Sequence, residues 1–408
     1  MPPTLRLHHD DPLLLRFDAR VLAHAAWGDA PSVVLDHTAF YPESGGQMGD
    51  RGTLAGCPVV DVQVDDHGTV HHLLDAPPAP ELAVGQGVGG AVERGRRRLH
   101  MALHTAQHML SRALEDEASA ATVSARLGET TCTIDVDRDA LDERRVAAAE
   151  ALVNAAIDDD LPVRQYFPDP ADLARLPLRR APKVTENIRV VAIGDFDVSP
   201  CGGTHCTRTA QVGLVRVTAV ERYKGKARVV FSAGRRATGE LTGEAGALRA
   251  LARDFTCGPL DVPAAVEKLR RELTEAREAL GHARLRVADA LADELVAAAA
   301  ARQAGTPGDL LVVGLVDDAT VDLLRKVARR VTARPDAVAL LAGRAADGTL
   351  VLIARGAASA FGCGAFLKRA AAAAGGRGGG RPESAEGRLP PGADWEAIVA
   401  ATLAAGPG

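Results

Sequence analysis

Two short segments carry side chains that bind metal ions. In Arg98-Leu-His100-Met-Ala-Leu-His104-Thr-Ala-Gln-His108, a helix would set His104 and His108 about 40° and 6 Å apart on one face. Well downstream, Asp195-Phe-Asp-Val-Ser-Pro-Cys201-Gly-Gly-Thr-His205-Cys206 offers a thiolate and an imidazole at C-x3-H in a glycine-containing turn. Either half alone is weak, because paired helix histidines are often solvated and a lone cysteine is often a small buried hydrophobe. Together they supply one thiolate and three imidazoles, a set that suits one Zn2+ per chain better than Mg2+ or Ca2+. His100 extends the row, and at about 12 Å along the axis His100 and His108 cannot share an ion. The pair is therefore 100/104 or 104/108, and spacing does not decide. Cys206 adjoins His205, and neighbouring side chains rarely point the same way, so it is a spare ligand at best. Neither H-E-x-x-H nor C-x2-C occurs, which weakens zinc-peptidase and zinc-ribbon readings.

These residues must be held by a chain of 408 residues, enough for two or three domains. A formal charge of −5 with 47% hydrophobic residues reads as a soluble globular protein, and local basic patches can still bind nucleic acid. No apolar run is long enough to span a bilayer, no signal peptide is legible, and the cysteines are too sparse for a disulfide framework. A reducing cytoplasm is expected. The pattern predicts a mixed α+β and α/β multidomain fold. Residues 1–92 read as short strands between turn signals, a β-rich, barrel-like domain. Residues 93–240 form an α+β domain carrying the metal motifs, with strands at Thr131–Val136, Ile188–Ile193 and Gly213–Val220. Residues 241–304 read as a helical, coiled-coil linker: Val266, Leu269, Leu273, Ala276, Leu280, Ala283, Val287 and Ala290 recur in heptad spacing after an Asp261 cap and Pro263. Residues 305–408 read as a small α/β domain with a glycine-rich loop for RNA binding or dimerisation.

His104-Thr-Ala-Gln-His108 with Cys201-Gly-Gly-Thr-His205 resembles the paired motifs of alanyl-tRNA synthetase editing domains. Thr38-Ala-Phe-Tyr-Pro-Glu-Ser-Gly-Gly-Gln47-Met-Gly-Asp50 looks like that family's "PFY-x-ESGGQ-x-GD" segment, and Gly375-Gly-Arg-Gly-Gly-Gly-Arg381-Pro-Glu-Ser-Ala is similar to the glycine-rich signature of its C-terminal domain. The motifs occur in the family's order and span nearly the whole chain. The resemblance implies a freestanding editing protein of the long type, a trans-acting deacylase that hydrolyses Ser-tRNA(Ala), with Gly-tRNA(Ala) as second candidate, without ATP. It also selects His104, His108, Cys201 and His205 as ligands.

The reaction would be ester hydrolysis at a terminal ribose. Zinc could activate water, polarise the carbonyl or grip the substrate, although four protein ligands are more usual of a structural site. Serine exceeds alanine by one hydroxyl, so the check must hydrogen-bond that group rather than exclude it by size. By resemblance Thr122 is the expected hydroxyl reader, with Ser124 competing. Gln47 would act at the amino-acid end, and Gly45 and Gly46 would admit the ribose. Expected RNA contacts are Arg97 and Arg98, Lys224, Lys226 and Arg228, and Arg377 and Arg381. The expected partner is tRNA(Ala) mischarged with serine or glycine, with no membrane, and the heptads suggest a homodimer. The competing reading is a non-catalytic tRNA-binding module with a structural zinc. A phosphoesterase related through the C-terminal domain lacks its acidic metal ligands.

Overall fold

In the computed structural model, residues 3–182, 184–317, 319–345 and 348–406 are described. The chain is a mixed α+β protein of two compact units, Met1–Leu251 and Ala252–Gly408.

Besides the short paired strands Leu5–Arg6 and His37–Thr38, the first unit opens with β1 (Arg16–Trp27), β2 (Ala30–Leu35), β3 (Gly52–Leu54), β4 (Cys57–Val64), β5 (Val70–Leu74) and β6 (Gly87–Val92). They close into a barrel in the order β1-β2-β5-β4-β3-β6, which leaves no open edge. Alternation along β1 sends Phe17, Ala19 and Val21 inward, onto Val33, Leu35, Phe40 and Val62. Helix α1 (Arg94–Ala118) follows at once. Every residue from His100 to Ser111 is buried, so its polar members must find partners inside the protein rather than in water.

After α1 come β7 (Thr122–Leu127), β8 (Cys132–Val136), α2 (Glu143–Asp158), β9 (Val163–Tyr166), β10 (Val190–Ile193), β11 (Asp197–Pro200), β12 (Val215–Tyr223), β13 (Lys226–Ala233) and α3 (Gly234–Asp254). Strands β12-β13-β8-β7 make an antiparallel sheet and β9-β10-β11 a smaller one. Leu103, Met109 and Leu110 of α1 share one core with Ile134, Val153, Val191 and Phe231.

The expected boundary at 92/93 is a change of architecture within this unit. Arg97 of α1 is fully buried; its Nε donates to both oxygens of Asp50 (3.2 and 3.0 Å), and its terminal nitrogens to the carbonyls of Pro12 and Ala39. Helix and barrel are thus fastened by a buried ion pair. The same contacts remove Arg97 from the expected RNA-binding set, since a guanidinium with no exposed surface cannot meet a phosphate.

In the second unit, α4 (Val262–Arg302) precedes β14 (Leu310–Val316), α5 (Val321–Val331), β15 (Ala337–Ala345), β16 (Gly348–Arg355), α6 (Cys363–Ala373), β17 (Arg377–Gly380), β18 (Ser384–Leu389) and α7 (Trp395–Ala404). The sheet order is β14-β15-β16-β18-β17, parallel only between β14 and β15. The heptad stretch is one continuous helix, and it is no free linker. Ala288, Ala292 and Ala299 pack against Val312, Val327 and Leu341, whereas Leu269, Leu273, Leu280 and Val287 are about half exposed. Asp261 holds the N-cap position but makes no cap bond: a preceding 3-10 turn keeps it at φ −90°, ψ −8°, helical where a cap should be extended. Part of the glycine run is strand rather than loop. A side chain at Gly378 would lie 2.8 Å from Leu367 Cγ and one at Gly380 2.4 Å from Ala385 Cα, so β17 packs here only because it is glycine. Among the described residues no helix is long and apolar enough to cross a membrane.

His72 in the barrel wall is fully buried, with Nε2 against Thr38 Oγ1 and Nδ1 against the Val33 carbonyl. Burial, aided by His71, depresses its pKa from 6.5 to about 4. Between those values the unfolded chain binds a proton that the folded one refuses. This contribution is therefore complete above pH 6.5 and is lost as pH falls toward 4, on the order of 3 kcal/mol in all. Urea midpoints measured across that window should fall with pH, and His72→Gln should flatten the slope by up to one proton. An unchanged slope would refute the assignment.

Candidate metal centre

Helix α1 delivers His104 and His108 from one face, and the turn after β11 delivers Cys201 and His205. Their four donor atoms lie within 4.8 Å of one another. Cys201 Sγ stands 3.4 Å from His104 Nε2 and 3.3 Å from His205 Nε2. His100 lies outside the quartet, buried one turn earlier, with Nδ1 unpartnered. Cys206 turns into the apolar core, where burial pushes its thiol up to about 11.

The other nitrogen of each imidazole shows how the rings are poised. His104 Nδ1 donates to Gln47 Oε1 (2.7 Å), an oxygen that also accepts the Thr204 amide. His205 Nδ1 faces Thr105 Oγ1 (3.3 Å), whose own proton goes to the Met101 carbonyl. His108 Nδ1 faces Asp197 Oδ2 (3.4 Å), and Arg179 and Ser199 hold that carboxylate. With Nδ1 of His104 and His205 on acceptors and Nδ1 of His108 facing a carboxylate, the three Nε2 atoms are the ones left for a common ligand. Both ring nitrogens of His108 are buried without a hydrogen-bond partner. Burial alone would raise the Cys201 thiol, but His104, His205 and His108 outweigh it and hold it well below its usual value. Burial, then Cys201, then Asp197 act on His108, and the net effect is upward. A thiolate and three imidazole nitrogens fit a soft or borderline divalent cation, and in the chain these four residues would hold it.

Glycine is required at one point. A Cβ on Gly203 would stand 2.1 Å from His104 Cε1, 2.3 Å from His104 Nδ1 and 3.0 Å from Gln47 Oε1, whereas one on Gly202 meets nothing within 4 Å. Arg189, in no sequence motif, fixes the turn by donating to the carbonyls of Cys201 (3.2 Å) and Gly203 (2.8 Å). Asp197 lies in the Cys201 segment, but pattern gave it no role.

The remaining expected residues have other neighbours. Gln47 is fully buried and supports His104, its amide donating to Thr204 Oγ1. Gly45 and Gly46 form an exposed turn with positive φ, and a Cβ on Gly46 would meet the Ala125 carbonyl at 2.6 Å. Thr122 Oγ1 donates to Ser111 Oγ (2.8 Å), which also accepts from Gln107. Ser124 donates to Asp135, the partner of Arg228, and the Arg228 guanidinium stacks 3.4 Å over Tyr223. Arg98, Lys224, Lys226, Arg377 and Arg381 are exposed.

Residues 188–230 match the family model "Threonyl and Alanyl tRNA synthetase second additional domain", and residues 10–96 match "tRNA synthetases class II (A)". The Alanyl-tRNA editing protein AlaX-L of Pyrococcus horikoshii is 34% identical over 244 residues, covering 58% of this chain and 59% of that protein. The Alanine–tRNA ligase of Thermococcus kodakarensis is 32% identical over 401 residues, 95% of this chain and 42% of the ligase. That of Halorubrum lacusprofundi is 35% identical over 285 residues, 67% of this chain and 30% of the ligase. The chain thus spans between about a third and three fifths of these relatives' lengths.

Gly203→Ala should push the His104 ring off Gln47 and weaken divalent-metal affinity by about 10- to 100-fold, with circular dichroism unchanged. Gly202→Ala should bind as the unaltered chain does. Chelator competition measures both, and a Gly203→Ala protein of full affinity would contradict the packing argument.

Proposed function

From the premise that this chain is a homologue of the alanyl-tRNA editing proteins and the alanine–tRNA ligases, we propose that it is an aminoacyl-tRNA deacylase. Its substrate is tRNA(Ala) mischarged with serine, with glycine the second candidate, and the bond hydrolysed is the ester to the terminal ribose. His104, His108, Cys201 and His205 would hold one Zn2+, which when bound supplies Lewis acidity at the ester or its attacking water.

The observation that carries this reading is the asymmetry of the quartet's burial. The three histidines are buried, while Cys201 is partly exposed, its neighbour Gly202 is exposed, and so is the turn Ser44-Gly45-Gly46. An aminoacyl end would approach along these turns. Gln47 orients His104 rather than touching substrate, so its contribution is positional. Thr122 remains the hydroxyl-reading candidate, reached through movement of its bond to Ser111. Arg98, Lys224, Lys226, Arg228, Arg377 and Arg381 are the candidate phosphate contacts, and the half-exposed leucine stripe of α4 supports pairing of two copies. A second reading draws on the closed donor set: four protein ligands with anchored rings are typical of a structural zinc, which would make the chain a tRNA-binding module without catalysis.

Deacylation assays separate the two. The purified chain should release serine from Ser-tRNA(Ala) much faster than alanine from Ala-tRNA(Ala), and Cys201→Ala should lose at least about 100-fold in rate. If neither ester is cleaved faster than in buffer while tRNA still binds, the deacylase reading falls to the binding-module one.

A further inference from the structure

Four segments of the first unit bring three arginines and a glutamate to one place outside the metal centre. Arg96 lies in the first turn of α1, Arg236 in the first turn of α3, Arg51 just before β3, and Glu129 between β7 and β8. Arg51 and Arg96 both reach Glu129 Oε1, at 3.4 and 3.7 Å, while Arg236 donates to the backbone carbonyls of Gly128 (3.2 Å) and Glu129 (2.7 Å). Neither helix has an acidic residue in its first turn, so two positive helix ends add to the arginine charge. Against this stand Glu129 and Glu93, and Glu93 lines a groove of about 500 Å3 with Arg51, Thr53, Val60 and Val92.

Two features distinguish the cluster from a solvated face. Arg96 Nε is spent on the Gly49 carbonyl (2.9 Å) and Arg51 Nε on that of Val60 (3.0 Å), so the guanidinium stems are fixed while their terminal nitrogens meet only an exposed carboxylate at long range. The side chains of Arg51 and Glu129 are 42% and 57% exposed, a geometry in which an ion pair is weak and readily exchanged, whereas that of Arg96 is 8% exposed. Inward of the cluster His100 is buried with Nδ1 unpartnered, a polar atom awaiting a partner. One further turn along α1 stands His104.

We propose that Arg51, backed by the less exposed Arg96 and by Arg236, receives a backbone phosphate of the RNA strand that carries the ester, Glu129 being the counter-charge that the phosphate displaces. This rests on the RNA-ester reading above. Arg96 and His104 are eight residues apart, about 12 Å along the helix, so the phosphate belongs to the terminal nucleotides whose ester end enters the quartet. A phosphate contact of this kind positions the strand without reading its sequence.

The two sides of the cluster must respond in opposite directions. With the full chain and uncharged tRNA(Ala), Arg51→Ala should raise Kd about fivefold and reduce the slope of log K against log salt by about 0.7. Glu129→Gln should lower Kd about threefold. On Ser-tRNA(Ala), Arg51→Ala should raise KM more than it lowers kcat, as expected of a positioning residue. A purely structural ion pair would make both variants bind worse or leave both unchanged, and either result overturns the phosphate site. If the unaltered chain binds and deacylates while the variants match it, the phosphate site alone falls. If it binds no tRNA, the phosphate site and the deacylase reading fall together.

Discussion

A thiol and three imidazoles lie within 4.8 Å of one another, and although the sulfur meets His104 and His205, His108 is left buried without a hydrogen-bond partner. His104 and His205 turn Nδ1 toward Gln47 and Thr105, and His108 Nδ1 stands 3.4 Å from the Asp197 carboxylate, so the Nε2 atoms converge on a sulfur already pressed toward its anionic form. Stripped of water, such a set is costly unless a cation joins it. Much of the first unit serves that constraint. The middle of helix α1, from His100 to Ser111, is buried on all sides and carries two donors into the interior, and Gly203 is bare because His104 occupies the space of its side chain.

The barrel's part is to brace the helix. Its Gln47 turn supports His104, and its Asp50 neutralises Arg97 two turns upstream. Replacing a buried pair of this kind by apolar residues is often harmless, but removing one partner strands a charge at about 3–5 kcal/mol. The pair therefore fixes how barrel and helix meet more than how stable they are. One sequence segment, from Thr38 to Asp50, thereby serves both the His104 ring and the joint between architectures.

Much of this was legible where periodicity or donor chemistry speaks locally. Four-residue spacing put two histidines on one helix face, and the heptads marked a long helix. What escaped depends on partners distant in sequence. Arg97 sits among other arginines and reads as surface; only its contact with Asp50 reveals it as interior. Gln47 reads as a substrate group until His104 is seen beside it. Arg189 and Asp197 carry no signal, since the carbonyls and the ring they hold come from other segments. Arg377–Gly380 has the composition of a loop and becomes a strand through pairing with β18, a tertiary effect that outweighs the poor β-propensity of glycine.

The central claim is that this quartet is one metal site with a single sulfur. X-ray absorption at the metal edge of the purified full chain tests it most directly. One sulfur at about 2.3 Å and three nitrogens at about 2.0–2.1 Å are expected. A second sulfur, which would bring Cys206 into the site, or a shell made mainly of oxygen would contradict it.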